Sequence, residues 1–254
     1  MIVSDYLLYA SITFFLFYVV LKRPLWFRKV QKKMPTLSDY GRDILFSMIS
    51  VTIFATMAVL VFYFLRPYTH TYDKISEYGW FYYLFTWVWM LFIHDTYFYW
   101  MHRLMHHPQL FKYIHLIHHK STNPSPWTAY AFHPIEAILE VGILPIIAFT
   151  LPVHKYAIGW FFLFQIIYNV YGHLGFELFP KRFHKTIVGR WINTSVAHNL
   201  HHKKFNGNYG LYFLFWDRMM GTIRKDYDTT YEITTERNTE VKLSTKNPSS
   251  ITGE

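Results

Sequence analysis

Three short stretches crowded with histidine constrain this chain more than any other feature. His102 and His106 stand four residues apart. His115, His118 and His119 follow, and His198, His201 and His202 repeat that spacing about eighty residues later. On a helix, spacings of three and four bring side chains to one face. Three such faces can converge and present eight imidazoles. A first-row metal ion takes about four to six ligands, so eight nitrogens suit two ions rather than one. The chain has no cysteine. That rules out disulfides and thiolate ligands and leaves nitrogen and oxygen donors. Neutral imidazole serves Fe, Zn, Cu and Ni alike. One His-x-x-x-His would ordinarily be a hydrogen-bonded pair; three clusters in order point to metal.

The 254 residues are read as one domain. Hydrophobic residues make up 52%, aromatic residues 21% and charged residues only 16%, too apolar for an average soluble domain. The apolar residues come in blocks, which predicts an integral membrane protein. A first run, 6–21, is short for a span and lacks the basic start and small-residue cleavage site of a signal peptide. Lys22, Arg23, Arg28, Lys29, Lys32, Lys33 and Arg42 follow, with Asp39 as the only acid among them. This is the strongest inside signal in the chain. Further spans are expected at 44–65 and 79–100. A hairpin is expected at 137–153 and 156–175, with a tight turn at 152–155 and a kink at Pro145. The net charge of +9 is assigned to topology and lipid headgroups rather than to nucleic acid, because the cations flank apolar runs.

The expected fold is therefore all-α: a membrane bundle of about four spans, the last two a hairpin, with a cytoplasmic helical cap carrying the histidines. Placing 22–42 in the cytoplasm puts 101–126 and 176–254 there too, so all three clusters share one side. The expected division is 1–78 for the N-terminal spans and basic loop, 79–225 for the catalytic part, and 226–254 for a polar tail, extended or disordered.

Other polar residues extend the constellation. Gln165, Asn169 and His173 form a stripe at i, i+4 and i+8. Polar groups inside a span usually face a cavity or a site, and His173 is read as a ninth metal ligand, with support of a ligand or helix packing as alternatives. Gln165 and Asn169 are read as bonding to neighbouring helices, with a substrate path as the alternative. Asp95 lies seven residues before His102, nearly on its face, and is a candidate to accept the second N–H of a ligand imidazole. His94 and His133 are candidates for the same supporting layer, with a ligand role open for His133. Asp217 is a candidate too, with a loop clamp the preferred reading. His107 is read as a loop or headgroup contact, and His70 and His154 as surface residues. His184 receives no assignment.

The three clusters resemble the histidine boxes of the fatty acid hydroxylase/sterol desaturase superfamily of membrane di-iron oxygenases. So do the words around them: His94-Asp-Thr-Tyr-Phe-Tyr-Trp before the first box, Ala131-Phe-His-Pro-Ile-Glu136 after the second, and Phe215-Trp-Asp-Arg-Met-Met-Gly-Thr222 after the third. The resemblance covers about residues 80–225. It implies a non-haem centre of two iron ions that activates O₂ and removes hydrogen from an unactivated C–H bond of a lipid. The substrate would be a sterol, fatty acyl, carotenoid or related lipid, and the outcome hydroxylation or desaturation. Zinc can stand in for iron in purified material. No Gly-x-Gly-x-x-Gly or fused redox segment is present, so an external electron donor of reductase, ferredoxin or cytochrome type is implied. Lys181, Arg182, Lys185, Arg190, Lys203 and Lys204 make a basic surface that suits an acidic donor or anionic lipid. Two rival classes use the same histidines: a zinc-dependent membrane hydrolase, and a metal-binding membrane protein without catalysis. No His-Glu-x-x-His is present and no carboxylate base lies inside a box, which counts against the hydrolase.

Overall fold

The structure, a computed structural model, describes residues 2–246, and side-chain surroundings for 4–237. Eleven α-helices are named here, joined by short 3₁₀ turns; strand structure among the described residues amounts to two dipeptides, in keeping with the all-α expectation.

The N-terminal half is three long helices. α1, Ile2–Phe14, runs on into a wider π-turn, Phe15–Val20. α2, Leu37–Val59, starts earlier than its apolar run because Thr36 and Asp39 cap it reciprocally. Asp39 N donates to the Thr36 hydroxyl at 3.2 Å, and Thr36 N donates to the Asp39 carboxylate at 2.9 Å. α3, Gly79–Met105, carries the third apolar run and the first box without a break. Among the described residues, one helix, Leu37–Phe64, is long and apolar enough to cross a membrane; Ser4–Val20 is apolar but shorter.

Two short helices, α4 (Pro108–Ile114) and α5 (Leu116–His119), hold the second box. The hairpin is α6 (Pro134–Val141) and α7 (Ile143–Thr150) returning through α8 (Lys155–Gly172). Its break falls at Gly142, not at the predicted Pro145. The Tyr97 hydroxyl donates to Leu139 O at 2.6 Å, and a Cβ at position 142 would lie 2.8 Å from that hydroxyl oxygen. The predicted turn at 152–155 is instead a strand, β2 (Val153–His154), parallel to β1 (Thr71–Tyr72). His154 is thereby buried, its Nε2 donating to Asp73 O at 3.0 Å, so it is not the surface residue expected. His70 is exposed, as read.

α9 (Ser195–Lys204) holds the third box, and α10 (Phe215–Met219) carries Asp217. The chain beyond Asp226 is not extended: it forms α11, Tyr227–Lys246. Tyr227 and Tyr231, one turn apart, are fully buried. Tyr231 donates to Pro180 O at 2.9 Å, Tyr227 pairs with the Thr194 hydroxyl at 3.2 Å, and the His184 ring sits 4.2 Å from that of Tyr231. Residues 247–254 of the predicted tail lie outside the described part.

The basic loop after α1 lies against the histidine-bearing segments. Gln31 Nε2 donates to Thr122 O and to Asn199 Oδ1, at 2.7 and 2.9 Å. Val30 N donates to Gly175 O at 2.9 Å.

Candidate metal centre

The eight box histidines and His173 come together as two adjoining cages. His102, His106, His115, His119 and His201 form the first; His118, His173, His198 and His202 form the second. Within each, every residue offers a nitrogen within 4.8 Å of the others'. The cages touch, with the His119 ring 4.8 Å from that of His202.

The division does not follow the boxes. Members four apart stay together: His102 with His106, His115 with His119, His198 with His202. The member three along crosses over, so His118 leaves its box for the second cage and His201 leaves its box for the first. On a helix i+4 turns about 40° from i in one sense and i+3 about 60° in the other, enough to aim the two at different centres. His173, at the C-terminal end of α8, closes the second cage.

Every cage imidazole except half-exposed His106 is buried. Burial holds the box imidazoles well below the ordinary histidine range, and neighbouring imidazoles add to the effect for most of them. His102 is pushed down to about 4 by burial, against the opposing pull of the Tyr209 carbonyl. These rings are neutral at physiological pH.

Their tautomers are set by the atoms behind them. Nδ1–H donates to Tyr209 O from His102 (2.9 Å), to Gly207 O from His201 (2.8 Å), to Asn169 O from His173 (2.8 Å) and to Ser121 O from His202 (3.1 Å). A carbonyl can only accept, so each of these rings presents Nε2 as a lone pair. His115 Nδ1 lies 2.6 Å from Glu136 Oε1.

The inward nitrogens then face one another: His102 and His115 Nε2 at 3.1 Å, His106 and His201 at 3.2 Å, His118 and His173 at 3.3 Å, His173 and His198 at 2.9 Å, and His198 and His202 at 3.2 Å. In the His102–His115 pair both Nδ1 atoms are engaged from behind, so with the His115 proton held toward Glu136 two lone pairs face each other, and these repel unless a cation stands between them. Two imidazoles each about 2.1 Å from one ion, at right angles, have nitrogens about 3.0 Å apart. Both nitrogens of buried His119 and Nδ1 of His118 lack any partner, and buried polar atoms are seldom left so. Spacing, tautomers and orphaned nitrogens all fit two metal ions with all-nitrogen ligation.

The predicted supporting residues fare differently. Asp95 does not reach an imidazole; its carboxylate accepts from Tyr212 N and Phe213 N at 2.8 and 3.1 Å. It lies about two turns before His102 on α3 and binds the loop 211–213 that crosses there. His94 Nδ1 pairs with the Tyr212 hydroxyl at 3.1 Å. The His133 side chain lies outside both cages and caps α6, with Ile135 N donating to its Nδ1 at 3.3 Å, while its main chain hydrogen-bonds the Glu136 carboxylate behind His115. His107 is exposed and caps α4 in the same way. Asp217 is a loop clamp, accepting from Tyr209 N, Gly210 N and the Thr222 hydroxyl at 2.9, 2.8 and 2.7 Å. It acts on the first cage indirectly, by fixing the peptide whose carbonyl holds His102.

Sequence reasoning missed Glu136. It is fully buried in the first turn of α6, and burial pushes its carboxyl well above the usual range. The visible signal was a carboxylate one turn into a helix that starts His-Pro beside an apolar run. It also missed the loop 205–210. Phe205, Gly207 and Asn208 all have φ between 55° and 71°, and a Cβ on Gly207 would lie 2.5 Å from Thr222 O. This left-handed path aims the Gly207 and Tyr209 carbonyls at the imidazoles, and such strain concentrates at functional sites.

Fold and cages together define a helical protein with two adjoining histidine clusters, each able to hold a metal ion. The chain belongs to the fatty acid hydroxylase family, whose model matches residues 87–222. It is 33% identical over 163 residues to a Delta(7)-sterol 5(6)-desaturase of Gibberella zeae, covering 63% of this chain and 48% of that protein. It is 32% identical over 190 residues to the lathosterol oxidase of Rattus norvegicus, covering 74% and 62%. It is 32% identical over 186 residues to that of Homo sapiens, covering 72% and 60%. The chain thus spans about half to three-fifths of the length of these relatives. No solved structure matches it.

Proposed function

We propose that this chain is a membrane-bound oxidoreductase that uses O₂ and two external electrons to oxidise an unactivated C–H bond of a lipid. Desaturation of a sterol-like lipid is the outcome that the relatives' activities favour. The observation that carries the reading is the double cage: buried imidazoles, four of them with tautomers fixed by carbonyls, in two groups that share a wall. Two ions so close suit redox chemistry on a strong C–H bond, whereas hydrolysis by zinc needs one activated water and a base.

In this reading His102, His106, His115, His119 and His201 hold one iron ion, and His118, His173, His198 and His202 hold the other. Bound iron supplies the activation of O₂ and the removal of hydrogen from the lipid. The protein's own atoms prepare the site. The carbonyls of Tyr209, Gly207, Asn169 and Ser121 keep the Nδ1 protons and turn the lone pairs inward. Glu136 stands 2.6 Å behind His115 Nδ1, and with cations bound it would ionise, accept from that ring and balance part of their charge. Burial excludes water that would quench a reactive oxidant.

The helices are read as four crossings, with 1–78 as anchor, 79–225 as the catalytic part and the cages at the cytoplasmic face. Support comes from exposed apolar side chains such as Ile12, Leu45, Phe81, Val88 and Trp160. It also comes from the contact of the basic loop with α9, through Gln31 and Asn199, which is the contact expected if the inside signal and the histidines share a side. The six cations at Lys181, Arg182, Lys185, Arg190, Lys203 and Lys204 are exposed and are proposed to dock an acidic electron donor.

The test is turnover by iron-loaded, membrane-embedded protein supplied with reductant, products being read by mass spectrometry. A lipid that loses two hydrogens or gains one oxygen, only when O₂ is present, is expected. Zinc-loaded protein should be inactive; equal turnover without O₂ would overturn the reading in favour of hydrolysis.

A further inference from the structure

Between Glu177 and Asp217 the chain has no acid, and it exposes large apolar side chains there. Ile187 is 87% exposed and Val188 65%, at the tip of a turn that is firmly fastened. The Thr186 hydroxyl donates to Phe183 O at 2.8 Å and accepts from Gly189 N at 2.9 Å. Arg190 N donates to Thr186 O at 3.1 Å, and Trp191 N to Val188 O at 3.0 Å. A Cβ on Gly189 would lie 2.0 Å from Phe183 O, so the turn closes this far only with glycine. Trp191 and, on α10, Phe215 and Met219 are also exposed, with the Trp191 and Phe215 rings 6.3 Å apart. A rigid turn that holds aliphatic side chains in the open beside exposed aromatic ones marks a surface made to be covered.

Charge and depth point to the cover. The Arg190 and Arg218 guanidiniums lie 5.0 and 5.9 Å from the centre of the Trp191 ring, and among the described residues neither pairs with a carboxylate. Tryptophan and arginine so combined suit a membrane–water boundary. The surface also lies on the membrane side of the cages. Tyr168 of α8 donates to Asn193 O at 2.7 Å, and Trp216 Nε1 donates to the Thr96 hydroxyl of α3 at 3.1 Å. Leu214 N donates to Trp191 O at 2.8 Å, tying these two strips together. Thr96 precedes His102 by six residues and Tyr168 precedes His173 by five, about 9 and 7.5 Å back along the helices from the cages.

We infer that the turn 186–190, with Trp191 and α10, inserts its apolar side chains into an anionic lipid leaflet, where Arg190 and Arg218 meet headgroup phosphates. The inference rests on the membrane-bound reading above and refines one part of it. Arg190 faces headgroups, while Lys203 and Lys204, at the opposite end of α9 from this surface, stay open to the donor. A soluble acidic protein would match the cations, but not a surface set back from the cages to a level that the crossings place in lipid. The inserted turn fixes the height of the cages over the leaflet.

The chain has no cysteine, so one introduced thiol can carry an environment-sensitive fluorophore without ambiguity. Metal-loaded full chain bearing Ile187→Cys is labelled and reconstituted into phosphatidylcholine bilayers with and without phosphatidylglycerol. Val88→Cys on α3 and Lys112→Cys on α4 serve as references for lipid and water. The Ile187 label should lie about 5–10 Å below the headgroups, quenched by lipids spin-labelled high on the acyl chain and shielded from acrylamide. Phosphatidylglycerol should increase that shielding, and adding Arg190→Gln should reduce the inserted population about fivefold, the effect of one cation at an anionic surface. An Ile187 label as open to acrylamide as that at Lys112, with Val88 in lipid, overturns the inference and leaves the four crossings standing. Shielding that needs a second copy of the chain or an added acidic protein in place of lipid overturns it too. Water at Val88 with lipid at Ile187 sustains the inference and sinks the four crossings.

Discussion

The two cages use the same ligand type but are supported in unlike ways. The second draws its backing from Asn169 O within α8, behind His173, and from Ser121 O in the loop after α5, behind His202, a loop pinned by the Ser121 hydroxyl to Asp43 of α2. The first leans on the irregular loop 205–210 and on a buried carboxylate, and includes His106, its one half-exposed member. The second cage thus rests on a helix and on a loop without left-handed residues, whereas the first depends on a loop with three of them and on its fastening to Asp217. That difference predicts a tightly held ion in the second cage and a more exchangeable one in the first.

The sharpest way to break the comparison is to remove one ligand from each. His118→Ala and His201→Ala should each abolish lipid oxidation, a loss of more than about a thousandfold if both ions act together. Metal analysis should show about one ion lost from either variant, and full turnover by either would refute the pairing. Gly207→Ala comes next. Its Cβ would collide with Thr222 O in a left-handed backbone, a strain of about 1–3 kcal/mol. Metal should leave the first cage selectively while the second stays loaded.

Glu136→Gln is smaller and more local. It keeps the shape but weakens the hold on His115, and should lower affinity at the first cage by about 10–100-fold, read by competition with a chelator. Equal weakening of both sites would erase the proposed asymmetry. The mildest effect is with pH. The box imidazoles are depressed by burial when folded and titrate near 6.5 when unfolded. Below that value the unfolded chain binds more protons, so stability is present above pH about 6.5 and is lost as pH falls toward the folded values, by up to about 1.4 kcal/mol per pH unit per histidine. Metal-free protein should show this in its melting temperature between about pH 6.5 and 5, and loading with metal should raise stability most at the upper end, where protons do not compete for the ligands.

Much of this was legible from spacing. Convergence of the boxes followed from i+3 and i+4 periodicity, and His173 from the cost of a polar stripe in an apolar helix. What stayed hidden depended on partners remote in the chain. Asp95 shares nearly a face with His102, but a loop more than a hundred residues away claims its oxygens. Tyr227 and Tyr231 are a buried stripe concealed by polar neighbours, so mean polarity misjudged α11. The break at Gly142 requires the Tyr97 hydroxyl, which no local pattern reveals. The carbonyls behind the imidazoles carry no side-chain signature at all.

The crossing-over of His118 and His201 has a consequence for how such a centre can change over generations. Because one turn of helix serves both cages, a one-residue insertion inside the second or third box would misdirect imidazoles in both places at once. A change of register in these boxes therefore reaches both cages, whereas a change in the loop 205–210 or at Glu136 reaches only the first.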